Sequence, residues 1–172
     1  MRDRRIVIVG FMGCGKTTVA RALAQRLGRE MIDLDSFITE SEGRSPARII
    51  EEDGEPAFRE IETHALRDVL KPDDARVIAL GGGAWTIAAN RALVAQNDCL
   101  SVWLDAPFEL CWERITSSGD KRPLAPDRES TRKLYDSRRS GYQHAKLRVP
   151  QDRASATHDL VSAILNAAVA EG

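Results

Sequence analysis

Four consecutive apolar residues, Ile6-Val7-Ile8-Val9, run directly into Gly10-Phe11-Met12-Gly13-Cys14-Gly15-Lys16-Thr17, and nothing else in the chain constrains the fold as tightly. A short unbroken apolar run reads as a strand buried on both faces, which belongs in a parallel sheet covered by helices. The G-x-x-x-x-G-K-T string at 10–17 is a turn whose glycines let main-chain N–H groups converge on one point. It opens a helix whose unpaired N-terminal N–H groups attract an anion. Val19, Ala20, Leu23, Ala24 and Leu27 recur at helical spacing, which predicts a helix over Lys16–Leu27 stopped by Gly28. The segment therefore reads as a loop that holds a nucleoside triphosphate by its phosphates.

Each position in the loop has a mechanical reading. Gly13 and Gly15 allow close wrapping, and Lys16 reaches the β- and γ-phosphates as a point charge. The Thr17 hydroxyl suits Mg²⁺, with Thr18 the next helical residue. Cys14 occupies a free position of the motif, either as a small filler or as a thiol activated by the helix N-terminus.

Beyond the loop, strands are expected at Arg5–Val9, Glu30–Leu34, Arg76–Leu80, Cys99–Leu104 and Lys146–Val149. Helices are expected across Ser36–Leu70 (broken by Gly43, Pro46, Gly54 and Pro56), then at Ala88–Gln96, Pro107–Ile115, Ser130–His144 and Thr157–Val169. This alternation predicts an α/β fold with a parallel sheet covered on both faces, its ligands gathered at the carboxyl ends of the strands. With 172 residues, one domain spanning 1–172 is expected. A net charge of −1 gives no case for a nucleic-acid partner, and no apolar stretch is long enough for a membrane helix. The N-terminal apolar run is too short for a signal peptide, so a cytoplasmic location is expected. Three cysteines without a C-x-x-C pair and three scattered histidines argue against a disulfide frame or a zinc site.

Several groups await partners at the sheet edge. Asp33 and Asp35 alternate at the end of the second strand, one toward each face: Asp33 toward the water shell of Mg²⁺, Asp35 toward a second substrate. The competing reading is structural, with Asp35 as a helix N-cap. Arg59 and Glu62, three apart on one helix, are either a solvated ion pair or part of a site. Gly81-Gly82-Gly83 is a bare turn or an exposed row of N–H groups. Arg122, in Arg122-Pro123-Leu124, lies in a stretch rich in Gly, Pro and charge, which suits a mobile lid over about 115–129.

These motifs, in this order and spacing, resemble the shikimate kinase family over nearly the full chain: the loop 10–17, Asp33-Leu34-Asp35, Gly54-Glu55 leading to Phe58-Arg59 and Glu62, the triple glycine with Asn90-Arg91, Arg122-Pro123-Leu124, and Arg138. The resemblance implies a P-loop kinase fold, a three-layer αβα sandwich on a five-stranded parallel sheet, with a helical substrate segment at about 34–62. It implies transfer of phosphate from ATP to the 3-hydroxyl of shikimate, with one Mg²⁺ per subunit, in aromatic amino acid biosynthesis. Asp35, Arg59, Glu62, Gly81, Gly82, Gly83 and Arg138 would surround shikimate. Gly13, Cys14, Gly15, Lys16, Thr17, Thr18, Arg114, Arg122 and Arg153 would serve ATP, and Thr17 and Asp33 the metal. Asp35, Lys16 and Arg122 would be catalytic, in a monomer.

The chain departs from the family pattern at Ser140-Gly141-Tyr142, where proline-leucine-tyrosine is usual, and at Ile50, where an aromatic is usual. Arg139 beside Arg138 leaves open which of the two faces the substrate. A related kinase such as gluconate kinase and an inactive nucleotide-binding module are the competing functions.

Overall fold

The computed structural model describes residues 4–71, 76–119 and 123–170. Strands β1 (Ile6–Val9), β2 (Met31–Asp33), β3 (Val77–Ala79), β4 (Leu100–Asp105) and β5 (Leu147–Pro150) form a five-stranded sheet in the order β2-β3-β1-β4-β5. Every pairing is parallel. The helices are α1 (Lys16–Leu27), α2 (Leu34–Glu42), α3 (Pro46–Asp53), α4 (Glu55–Leu70), α5 (Ala88–Gln96), α6 (Phe108–Ser118), α7 (Arg128–Tyr142) and α8 (Thr157–Ala170), with a 3-10 turn at Ala84–Thr86. The α/β architecture inferred from strand–helix alternation is the one observed. No helix among the described residues is long and apolar enough to cross a membrane.

The burial pattern follows strand position. Central β1 is buried throughout and β4 likewise, whereas edge strand β5 alternates buried and exposed. The one hydroxyl inside β4, Ser101, accepts the Lys146 N–H at 3.0 Å and so anchors the start of β5. Ile8 aligns with Ala79 on one side and Val102 on the other, which brings the carboxyl ends of β1, β3 and β4 level. The β1-to-β2 connection crosses the sheet one way and the later connections cross it the other way. Right-handed crossovers then place α1 and α4 on opposite faces, and ligands belong at that reversal.

Two local expectations are corrected. Strand β2 ends at Asp33 because its carboxylate Oδ1 accepts the N–H groups of Asp35 (3.0 Å) and Ser36 (3.3 Å), capping α2. Asp35 therefore sits in the first turn of a helix rather than alternating along a strand, and the cap is Asp33, not Asp35. The segment expected as a lid is also shorter at both ends. Residues 115–118 complete α6, which Gly119 ends at φ 69°, and Arg128-Glu129 open α7 under the Asp127 cap. Residues 120–122 lie outside the described residues.

Helix α1 buries Val19, Ala20, Leu23 and Ala24 against the sheet and α8. Leu23 is fully enclosed. Leu23→Ala should therefore cost about 2–5 kcal/mol of unfolding free energy, read from the urea midpoint at unchanged slope.

Candidate active site

The loop after β1 is built as its glycines require. Gly13 (φ 76°) and Gly15 (φ 92°) occupy left-handed backbone, and a β-carbon on Gly13 would stand 2.6 Å from the Cys111 carbonyl oxygen. Lys16 Nζ reaches back across the loop to donate to the Phe11 carbonyl at 2.9 Å. Gly13, Gly15, Lys16, Thr17, Thr18, Asp33 and Arg114 line a cavity of about 340 Å³ together with Met12, Asp35, Leu80, Gly81 and Gly82. Cys14 turns its side chain inward, where burial pushes the thiol pKa up against the opposing charge of Lys16. Its side chain is therefore the small filler, not an activated thiol.

The Thr17 hydroxyl donates to Asp33 Oδ2 at 2.6 Å, so one carboxylate both caps α2 and meets the phosphate loop. Among the described residues no group of three or more His, Cys, Asp or Glu is gathered as a metal cage. Magnesium does not need one, since it keeps water and phosphate oxygens and takes one or two protein oxygens. The hydroxyl and carboxylate at Thr17 and Asp33 are hard oxygen donors of that kind.

A second cavity of about 350 Å³ opens beside the first, walled by Asp35, Arg59, Glu62, Gly81, Gly82, Gly83 and Arg138. Ile50, Phe58, Pro123 and Leu124 give it an apolar side. Met12, Asp35, Gly81 and Gly82 line both cavities, so the two meet at the Asp35 carboxylate.

Arg59 is held on three sides. Its Nη1 donates to Glu62 Oε2 at 2.7 Å, its Nη2 to Glu55 Oε1 at 2.9 Å, and its guanidinium carbon lies 5.2 Å from the Phe58 ring centre. Burial disfavours the charge on Arg59, but Glu62 and Glu55 outweigh it and raise its pKa. Glu62 is 0% exposed. Burial raises its pKa despite Arg59, and the nearby Asp35 charge adds to the rise.

Arg138, 6% exposed, has its pKa lowered by burial and by repulsion from Arg59, with Tyr142 opposing. The two guanidinium groups thus face one cavity and repel each other, a strain that a bound carboxylate would relieve. The adjacent residue is different. Arg139 donates from Nη1 to Asp105 Oδ1 at 2.8 Å and to the Tyr135 hydroxyl at 2.7 Å, and it lines a separate cavity with them. Arg138, not Arg139, faces the acceptor pocket.

One expected residue stands apart. Arg114 reaches the loop, donating to the Gly13 carbonyl at 3.3 Å, but Arg153 pairs with Glu113 at 2.6 Å and lies outside both cavities. Arg122 falls outside the described residues. The sequence reading missed Gln151, buried just past β5, and Tyr142, whose hydroxyl donates to the Gly82 carbonyl behind the acceptor pocket. Tyr142 was detectable as part of the buried stripe Thr131, Tyr135, Arg138 and Tyr142 on α7.

A parallel α/β sheet with a phosphate loop after its central strand, opening onto a pocket with two arginines and a carboxylate, defines a P-loop kinase acting on a small anionic acceptor. Comparison with known proteins narrows the class. The family profile for shikimate kinase matches residues 12–169. Shikimate kinase of Ruegeria pomeroyi is 37% identical over 167 residues, covering 95% of this chain and 84% of that protein. The structure of shikimate kinase from Acinetobacter baumannii in complex with shikimate superposes with a TM-score of 0.89 at 35% identity, covering 98% of this chain and 94% of that one. A gluconokinase from Sinorhizobium meliloti, at 18% identity and a TM-score of 0.68, shares the fold alone. The chain belongs to the shikimate kinase family.

The raised pKa of Glu62 has a definite sign. Its protonated form is favoured by folding, so that contribution is fully present below the ordinary 4.5 and is lost as pH rises through the higher folded value. Denaturant stability of the wild type relative to Glu62→Gln should therefore fall as pH is raised across that window. A pH-independent difference would place the Glu62 titration at its ordinary value.

Proposed function

We propose that this chain transfers the γ-phosphoryl group of ATP to the 3-hydroxyl of shikimate, giving shikimate 3-phosphate and ADP. The observation that carries the reading is the shared wall of the two cavities, where Asp35 stands between the phosphate loop and the arginine-lined pocket. Family membership supplies the identity of the substrates.

Shikimate carries one carboxylate and three hydroxyls. Arg59 and Arg138 offer guanidinium forks for the carboxylate, and paired charge-assisted hydrogen bonds set the ring's direction. That orientation leaves a hydroxyl at Asp35. Phosphoryl transfer is largely dissociative, so the hydroxyl needs alignment more than early deprotonation. Asp35 accepts a hydrogen bond from it and takes its proton late.

Lys16 and the loop N–H groups hold the phosphates in line and neutralise charge as the bond to the leaving oxygen breaks. Thr17 and Asp33 would hold the Mg²⁺, which when bound would offset the negative charge of the phosphates. Gly13, Gly15 and Thr18 contribute main chain around the phosphates, and Arg114, which lines the same cavity, serves the nucleotide end. Arg122 enters by the family resemblance as a lid cation that meets the transferring group on closure. A monomer as the working unit enters by the family resemblance. Dependence on ATP and the free thiols of Cys14, Cys99 and Cys111 support a cytoplasmic setting.

A coupled assay of ADP release tests the reading. Shikimate should support turnover, while gluconate, quinate and nucleoside monophosphates should not; turnover with gluconate alone would transfer the chain to the neighbouring kinase class. Asp35→Asn should lower kcat by roughly 10²–10⁴-fold with ADP affinity unchanged. The two adjacent arginines should separate cleanly. Arg138→Ala should cost about 2–5 kcal/mol in shikimate binding. Arg139→Ala should leave the shikimate KM near wild type, and the reverse order would reassign the pocket.

A further inference from the structure

The phosphate loop is touched from behind by a residue that the function described above does not use. Gln151 directly follows β5, is 7% exposed, and donates from its side-chain Nε2 to the Cys14 carbonyl oxygen at 2.7 Å. Its own backbone N–H donates to the Asp105 carbonyl at 3.1 Å, tying the residue to the end of β4. Asp105 is held in turn, with Oδ1 receiving Arg139 at 2.8 Å and Oδ2 receiving Arg148 at 2.6 Å. The amide that meets the loop is thus mounted on two strand ends rather than on a surface turn.

The Cys14–Gly15 peptide is trans, as are all peptide bonds among the described residues, so its C=O and N–H point in opposite directions. Holding the Cys14 carbonyl toward β5 therefore turns the Gly15 N–H the other way, into the cavity lined by Gly13, Gly15, Lys16 and Thr17. Gly15 has no β-carbon to restrict this peptide plane, and the nearest side-chain atom to that missing carbon is Arg114 Nη1 at 3.5 Å. The neighbouring carbonyls of the loop are engaged differently. Phe11 accepts from Lys16, the same side chain that reaches the phosphates, and Gly13 accepts from the exposed Arg114. Gln151 supplies the buried restraint, and its amide carries no charge that would compete with Lys16 for the phosphates.

We infer that Gln151 is a positioning residue for nucleotide binding: its side-chain amide locks the Cys14–Gly15 peptide with the Gly15 N–H aimed at the phosphates. The inference rests on the proposed function only in requiring a nucleotide at this loop.

The test uses Gln151→Met, which keeps the volume and removes the donor, and Gln151→Glu, which sets a carboxylate against the Cys14 carbonyl. ADP binding by calorimetry is read beside the steady-state constants for both substrates. Leaving the buried carbonyl unmatched should weaken ADP binding and raise the ATP KM by roughly 5- to 50-fold in Gln151→Met, and further in Gln151→Glu. The shikimate KM and kcat at saturating substrates should stay at wild-type values. A merely structural amide would instead lower the melting temperature and move both KM values together, which would overturn the inference. So would wild-type ADP affinity in folded Gln151→Met, or in Gln151→Asn, whose shorter side chain cannot reach, should the methionine variant fail to fold. If the wild-type chain itself bound no ADP, the kinase reading would fall first and this inference with it.

Discussion

The site depends on how closely two loops pass each other. Parallel pairing of β1 with β3 brings the phosphate loop and the triple glycine out of the sheet side by side. A β-carbon on Gly82 would stand 3.2 Å from the Met12 amide nitrogen and 3.4 Å from Arg138 Nη1. One on Gly81 would stand 2.7 Å from Glu62 Oε1, and one on Gly83 would overlap the Arg59 guanidinium. Each glycine thus yields its space to a different charged side chain. That is why a nucleotide cavity and an acceptor cavity can share a wall of bare backbone.

Charge is distributed unequally around that wall. Glu62, buried and paired, directs Arg59 but leaves Arg138 in the same pocket without a carboxylate partner among the described residues. Arg59 has Glu62 and Glu55 as partners, so the buried Arg138 is the cation of this pocket left to meet an acidic ligand. Arg139, one residue along the same helix, already has its anion in Asp105. Specificity here comes from which guanidinium groups the fold leaves unsatisfied, more than from how many it supplies.

Much of this was legible in the chain itself. Apolar runs and helical periodicity located the sheet, and the bounds of α1 and α5 matched the observed ones, those of α1 because Gly15 and Gly28 close it at both ends. The end of β2 was misread because Asp33 and Asp35 look equally able to cap, and only the fold shows Asp33 taking both N–H groups. The Arg138–Arg139 ambiguity had a geometric root. Both lie three or four residues from Tyr135 and from Tyr142, so helical phase alone cannot choose between them. Asp105, distant in sequence, makes the choice. Gln151 carried no signal beyond its place after a strand, since its partner in the loop is 137 residues away.

One departure from the family pattern has a counterpart elsewhere in the fold. Gly141, where leucine is usual, packs face to face with the 3-10 turn, and a β-carbon there would already meet Thr86 at 3.4 Å. Thr86 in turn bonds the Gly83 carbonyl at 2.7 Å, bracing the end of the glycine row. Positions 141 and 86 therefore form a single volume split between two chain segments. A side chain at 141 longer than a methyl would have to extend around Thr86, so what position 141 can hold depends on the residue at 86.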